Sequence, residues 1–148
     1  MIGTSGKITA FFKNPVKWKK ANDKEYDTSF RFIFSNNDLY DFEKSSQNTK
    51  NNISNYEPGY IQIYPEGAAQ RKMGNNENLD KLILFSKNFS FNKKSKDLLN
   101  NKNEIISLLS NYIENIDDLV ETKFLTPMDL NEQFYFPKGN IDHMTLTK

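Results

Sequence analysis

Short stretches of alternating apolar and polar residues, or of β-branched and aromatic residues, predict a sheet with at least four strands. These strands span residues 7–12, 30–34, 60–64 and 82–85. In the first of them Ile8, Ala10 and Phe12 alternate with the other residues, as in a strand with one buried face. Residues 82–85 are apolar without interruption, so this strand is predicted to be buried on both faces.

Apolar residues at three-, four- and seven-residue spacing predict a long helix over residues 95–115. A short helix over 38–46 follows a capping-like Ser35, and another over 128–134 follows Pro127. Residues 47–58 and 66–78 are polar and are interpreted as connections. This order predicts an α+β fold, with a mixed, mostly antiparallel sheet and helices packed on one side.

Length and composition narrow the class of protein. The 148 residues allow one domain, so the chain is interpreted as a single unit over residues 1–148. The absence of cysteine and the single histidine exclude a disulfide scaffold, a thiolate metal centre and a His-rich zinc site, and no metal site is predicted. No apolar run is long enough to span a bilayer and no targeting pattern is visible. We therefore expect a soluble intracellular protein, with cytoplasm and organellar matrix left open.

Two local clusters have ambiguous chemistry. Lys13, Lys17, Lys19 and Lys20 surround Trp18, and lysines beside an aromatic ring can grip a nucleic-acid backbone and stack a base. The net charge of only +1 disfavours that function, so the cluster is interpreted as a solvated turn and no nucleic-acid partner is predicted.

Acidic residues form the second cluster. Asp117, Asp118 and Glu121 could act as paired carboxylates, but we interpret them as a helix end and the exposed side of a strand. No Gly-x-Gly-x-x-Gly, Walker or Gly-x-Ser-x-Gly motif is present.

The C-terminal segment has a more specific pattern. It contains Thr-Pro-x-Asp-Leu at 126–130, followed by Pro-x-Gly-Asn-Ile-x-His at 137–143. Together these motifs resemble the C-terminal half of the phytoene-desaturase-like FAD-dependent oxidoreductases, in the branch of pyridine nucleotide-disulphide oxidoreductase domain-containing protein 2. The resemblance is specific over residues 111–146, where a helix and a strand entering Leu125 follow the order of the family, and weaker before them.

This resemblance implies a substrate-domain fragment of a larger flavoprotein. The intact family protein would use FAD to remove a hydride from an apolar substrate, over a sheet rich in Phe and Tyr. Asn140 and His143 would be positioning residues, and Gly139 and Asn140 would lie near the flavin. Lys138 departs from the pattern, because the family often has a second glycine there. The chain lacks the Rossmann fingerprint, so it is expected to bind no FAD and to be inactive without an FAD-binding domain from the same or a separate chain.

An alternative keeps the fold without the catalysis. The chain would then be a lipophile-binding or protein-interaction module derived from the same fold. Peripheral contact with a membrane stays open as a further partner, whereas an apolar small molecule is expected under both the enzyme hypothesis and the lipophile-binding one.

Overall fold

The computed structural model describes residues 5–20, 27–34, 60–87, 89 and 95–141, together with residues 40, 43, 44, 47, 48 and 51. Within these residues the strands are β1 (Ser5–Phe12), β2 (Arg31–Phe34), β3 (Tyr60–Tyr64), β4 (Asp80–Lys87) and β5 (Leu119–Leu125). The longer helices are α1 (Glu66–Lys72), α2 (Ser95–Leu109) and α3 (Pro127–Phe134). Most of the helix predicted over 38–46, and most of the connection predicted over 47–58, lies outside the described residues.

The five strands form one sheet in the order β2-β3-β4-β1-β5. Every neighbouring pair is antiparallel. Strand β1 lies between β4 and β5, so the chain crosses β1 when it passes from β4 through α2 to β5. The predicted α+β class is confirmed, and the sheet predicted to be mixed and mostly antiparallel is antiparallel throughout its five described strands. The assignment of this sheet to a flavoenzyme substrate domain stays a prediction.

One face of the sheet, here called the core face, carries the aliphatic core. Because side chains alternate along a strand, each strand contributes every second residue to this face. Helix α2 covers the core face with Leu98, Ile105 and Leu109, all of them buried. The buried hydrophobic residues of the strands are Ile8, Ala10, Phe12, Ile33, Ile61, Ile63, Leu82 and Leu84.

The opposite face, here called the outer face, corrects one prediction. The apolar run of β4 predicted a strand buried on both sides, but Ile83 and Phe85 are only half-buried, whereas Leu82 and Leu84 are fully buried. No long helix packs on Ile83 and Phe85 within the described residues. Ile83 and Phe85 therefore form part of a partly exposed apolar surface on the outer face.

Helix α1 is a second correction, because residues 66–78 were predicted to be a connection. The stretch after Pro65 contains good helix formers, with Glu66 in the first turn and Arg71 and Lys72 in the last, where they complement the helix dipole. Gly67 weakens this helical pattern in the sequence, because glycine is a poor helix former. A Cβ atom at Gly67 would overlap Asp80 Oδ1, so glycine lets α1 pack against the start of β4. The helices are also not all on one side, since α1 borders the outer face.

Helix α2 is shorter than the predicted 95–115, ending at Leu109. The backbone after it pairs with residues near Trp18: Lys19 N donates to Tyr112 O at 2.9 Å, and Ile113 forms an antiparallel bridge with Trp18. These tertiary hydrogen bonds end the helix although its apolar spacing continues. The predicted helix over 128–134 is confirmed as α3, with a capping box between Thr126 and Asp129.

Asp80 is a buried carboxylate at the start of β4, only 5% exposed. It accepts a hydrogen bond from Val16 N at 2.8 Å and forms an ion pair with Arg71 of α1. A buried charge is tolerated only when such partners replace its water. Asp80 therefore joins the start of β4 both to α1, through Arg71 nine residues before it, and to the segment after β1, through Val16 64 residues before it.

We predict that Arg71→Met lowers the free energy of unfolding by about 2 to 4 kcal/mol, because it leaves the Asp80 carboxylate buried without its cation. The measurement is equilibrium urea unfolding. Lys72→Met, on the exposed side of the same helix, is the matched control and should change stability by less than about 0.5 kcal/mol. Equal losses in the two variants would contradict the structural role of the ion pair.

Candidate functional site

The outer face carries an open groove with a volume of about 380 Å³. It lies between α1 and strands β1, β3 and β4, next to the residues that precede β2. Three polar or charged side chains, Lys7, Thr28 and Glu66, contribute to its wall. The remaining lining is mostly apolar and consists of Phe30, Tyr64, Pro65, Ala69, Ile83 and Phe85.

Strand register brings the aromatic residues of the groove together. Tyr64 is paired with Ile83, and Phe85 with Gln62, so Tyr64, Ile83 and Phe85 project from the same face. The Tyr64 ring lies 5.8 Å from the ring of Phe85 in an edge-to-face arrangement and 4.5 Å from the ring of Phe30. Such contacts stabilise rings that remain partly in water.

The aromatic surface continues beyond the groove along β2. Phe32 contacts Phe30 edge-to-face with centroids 4.5 Å apart, and it stacks with Phe34 at 6.2 Å. Phe30, Phe34 and Tyr64 are 40%, 62% and 43% exposed. A patch of large apolar side chains in water is typical of a binding surface.

Of the two charged side chains in the groove wall, Glu66 has an ion-pair partner and Lys7 has none among the described residues. Glu66 Oε1 accepts hydrogen bonds from Lys81 Nζ at 3.4 Å and Gln70 Nε2 at 3.2 Å, and Lys81 also pairs with Glu77 at 3.0 Å. The hydrogen bond to Glu77, helped by Glu66, raises the pKa of Lys81. Lys7 instead lies over the ring of Phe85, with Nζ 5.7 Å from the centroid, and forms no ion pair with a described residue.

The site residues expected from the family resemblance lie outside the groove. Gly139 is buried in a short 3-10 turn after α3, with φ +69°, and a Cβ atom there would overlap Pro127 O. Asn140 is half-buried, and its N donates to Pro137 O at 3.1 Å. His143 lies outside the described residues. Packing against Pro127 accounts for a glycine at 139 without any ligand, so contact of Gly139 or Asn140 with a flavin stays a prediction.

The lysine-rich segment near Trp18 is a structural connection. Trp18 is 9% exposed, and the guanidinium of Arg31 lies 4.0 Å from the centroid of its ring. Burial lowers the pKa of Arg31, against the opposing effect of Asp27, although arginine stays charged at neutral pH. The indole is thus already stacked and covered, in agreement with the interpretation of the cluster as a turn.

The acidic residues also have structural partners. Asp117 and Asp118 lie in a 3-10 turn (Ile116–Asp118) immediately before β5, and Glu121 is exposed on that strand. Asp118 Oδ2 accepts from Asn115 Nδ2 at 2.8 Å and from Asn14 Nδ2 at 3.1 Å. These hydrogen bonds, that from Asn115 first, lower the pKa of Asp118. Asp118 therefore remains an ionised acceptor, unsuited to donate a proton near neutral pH.

Comparison with known proteins gives no family assignment. The chain matches no protein-family model, and no curated protein shows significant similarity to it. The resemblance to the phytoene-desaturase-like oxidoreductases consequently stays a prediction from the C-terminal motifs.

Two further features are absent from the part of the chain that the structure describes. No cluster of three or more His, Cys, Asp or Glu residues is arranged to hold a metal ion there. Among the same residues, no helix combines the length and apolar character needed to cross a bilayer.

Sequence reasoning did not find the groove, although one signal was present. The apolar run of β4 exceeds what a one-sided strand needs, and Phe30, Phe32 and Phe34 recur at two-residue spacing, which places aromatic rings on one face. The apolar run predicts a strand buried on both faces and the aromatic run predicts a strand, so neither signal was assigned to a groove. The contribution of α1 could not be recognised, because that helix was not predicted.

We predict that Gly139→Ala destabilises the protein more than Gly74→Ala does. Both glycines have positive φ, which costs a residue with a Cβ atom about 1 to 2 kcal/mol. Only at Gly139 would the Cβ atom meet a neighbour, the backbone of Pro127, adding about 1 to 3 kcal/mol; at Gly74 nothing lies within 4 Å. Urea unfolding measures both variants, and equal costs would remove the packing explanation for Gly139.

Proposed function

We propose that this protein binds an apolar small molecule in the groove on the outer face. The observation that carries the proposal is the groove itself: Phe30, Tyr64, Ile83 and Phe85 converge around a concave space of about 380 Å³. Small-molecule sites are usually concave, mostly apolar, and about 300 to 1,000 Å³ in volume. A few polar groups at the wall are also typical of such sites, since they orient the ligand.

Burial of apolar area would supply most of the affinity. The rings of Phe30 and Tyr64 remain about two-fifths exposed, so a ligand would remove further apolar surface from water. The strands below them are fixed by hydrogen bonds and by the core on the other face. Little ordering of the floor would be needed on binding, which favours affinity.

A second candidate is the substrate-domain portion of an FAD-dependent oxidoreductase, in which this groove would hold the apolar substrate. The C-terminal resemblance and the aromatic floor on the sheet support it. Gly139 packs against the Pro127 backbone, and this contact accounts for the glycine without a flavin. We therefore assign no step of flavin chemistry to residues of this chain, and the FAD-binding domain would be a partner.

We predict saturable, one-site binding of a neutral fluorescent apolar probe, N-phenylnaphthylamine, measured by fluorescence titration. Phe30→Ala should weaken this binding about tenfold, because a ring of the groove wall is lost. Phe34→Ala is the matched control: it removes the same side chain from the same face outside the groove and should change affinity by less than about twofold.

A second variant separates binding from folding. Ala69→Phe fills the groove from α1 without deleting apolar surface, so it should abolish probe binding. Ala68→Phe on the same helix is the control and should not abolish it, because Ala68 does not line the groove. Urea unfolding and circular dichroism verify that each variant is folded. Non-saturable binding, or equal effects of Phe30→Ala and Phe34→Ala, would overturn the proposal.

The two candidate functions predict different coding sequences on either side of this segment. Sequencing the DNA on both sides of this coding segment tests them: the enzyme hypothesis expects an in-frame Gly-x-Gly-x-x-Gly segment upstream and a glycine-rich segment downstream. Stop codons on both sides, with no neighbouring reading frame for an FAD-binding partner, would favour the small-molecule-binding module over the enzyme hypothesis.

A further inference from the structure

We infer that Lys7 makes the groove selective for apolar molecules that end in a carboxylate. The inference rests on the proposed function, because it assigns a ligand class to the same groove. Its basis is the imbalance of charge in the lining, where one cation and one anion lie among apolar side chains and only the anion is paired.

The anion, Glu66, is already engaged. Its Oε1 accepts from Lys81 at 3.4 Å and from Gln70 at 3.2 Å. Lys81 bridges Glu66 and Glu77, so these three side chains together carry one excess negative charge, shared around an ammonium. Glu66 thus already has a cation of the protein beside it, whereas Lys7 has no carboxylate beside it among the described residues.

The cation, Lys7, is held in the groove by its strand. Register pairs Lys7 with Phe85 on one side and Leu125 on the other, so its stem lies between apolar neighbours on the outer face. The ammonium lies over the Phe85 ring, 5.7 Å from the centroid, at a distance where cation–π attraction is modest. With no carboxylate of the described residues within ion-pair distance, the ammonium keeps its capacity to bind an anion.

A carboxylate matches this environment better than a phosphate. A single ammonium balances one negative charge, and the hydroxyl groups of Thr28 and Tyr64 are the other donors in the lining. A phosphate monoester carries nearly two charges and three acceptor oxygens, which usually call for arginine or several backbone amides. The apolar wall would hold the body of the ligand while Lys7 binds its acidic end.

The test uses two ligands of equal chain length, decanoate and decanol, as competitors of bound N-phenylnaphthylamine at neutral pH. The wild-type protein should prefer decanoate by about five- to tenfold, since an ion pair at an apolar wall is only partly screened. Lys7→Met should abolish the preference, measured as the ratio of decanoate affinity to decanol affinity, whereas Lys7→Arg should retain it.

Lys123→Met is the matched control. Lys123 lies on the same face, with Nζ 5.1 Å from the centroid of the Phe11 ring, but it does not line the groove. This variant should keep the wild-type preference. A preference that persists in Lys7→Met, or is absent from the wild type while decanol still displaces the probe, would overturn the role of Lys7 and leave the apolar groove intact. Failure of both ligands to displace the probe would instead count against the proposed function.

Discussion

The buried carboxylate of Asp80 is the interaction on which the arrangement of this fold depends. An aspartate at 5% exposure must have its charge balanced, and the balance comes from Arg71 on α1 and the backbone N–H of Val16. Both partners belong to segments that the sheet alone does not position. The close approach of Gly67 to Asp80 shows how closely α1 is held against β4 as a result. The outer-face groove then follows, because Ala69 of the same helix forms one of its walls.

The two faces of the sheet use different apolar residues for different physical ends. The core face is built mainly from Ile and Leu, which pack tightly beneath α2 and are almost fully buried. The outer face uses Phe and Tyr, whose rings contact one another in edge-to-face, tilted and stacked arrangements while they remain partly in water. A closely packed core fixes the strands, and fixed strands hold the exposed rings in one arrangement. The stability of one face is thus what pre-organises the other.

Local pattern was sufficient to predict most strands, because alternation and β-branched content act over a few residues. Tyr60–Tyr64 was predicted with the observed bounds, and α3 with one residue more, Pro127. The failures arose where distant contacts override local preference. Residues after Leu109 continue the helical spacing but form hydrogen bonds with the backbone of Lys17 and Lys19. Helix α1 was not predicted because it contains Gly67, and the close contact of this residue with Asp80 explains why a glycine is needed there. The groove combines β1, β3, β4 and α1, so its prediction required the strand order, which periodicity does not encode.

The electrostatics of the groove follow from the same constraint that positions α1. Because Arg71 holds the helix against Asp80, Glu66 at the other end of α1 comes within reach of Lys81 on β4. Lys81 is thereby paired with Glu66 and Glu77, and it does not line the groove. Lys7 on β1, next to Phe85, has no such partner among the described residues. The ion pair between Arg71 and Asp80 does not line the groove, yet by positioning α1 it brings Glu66 to Lys81, and Lys7 is then the cation of the groove lining that has no ion pair among the described residues.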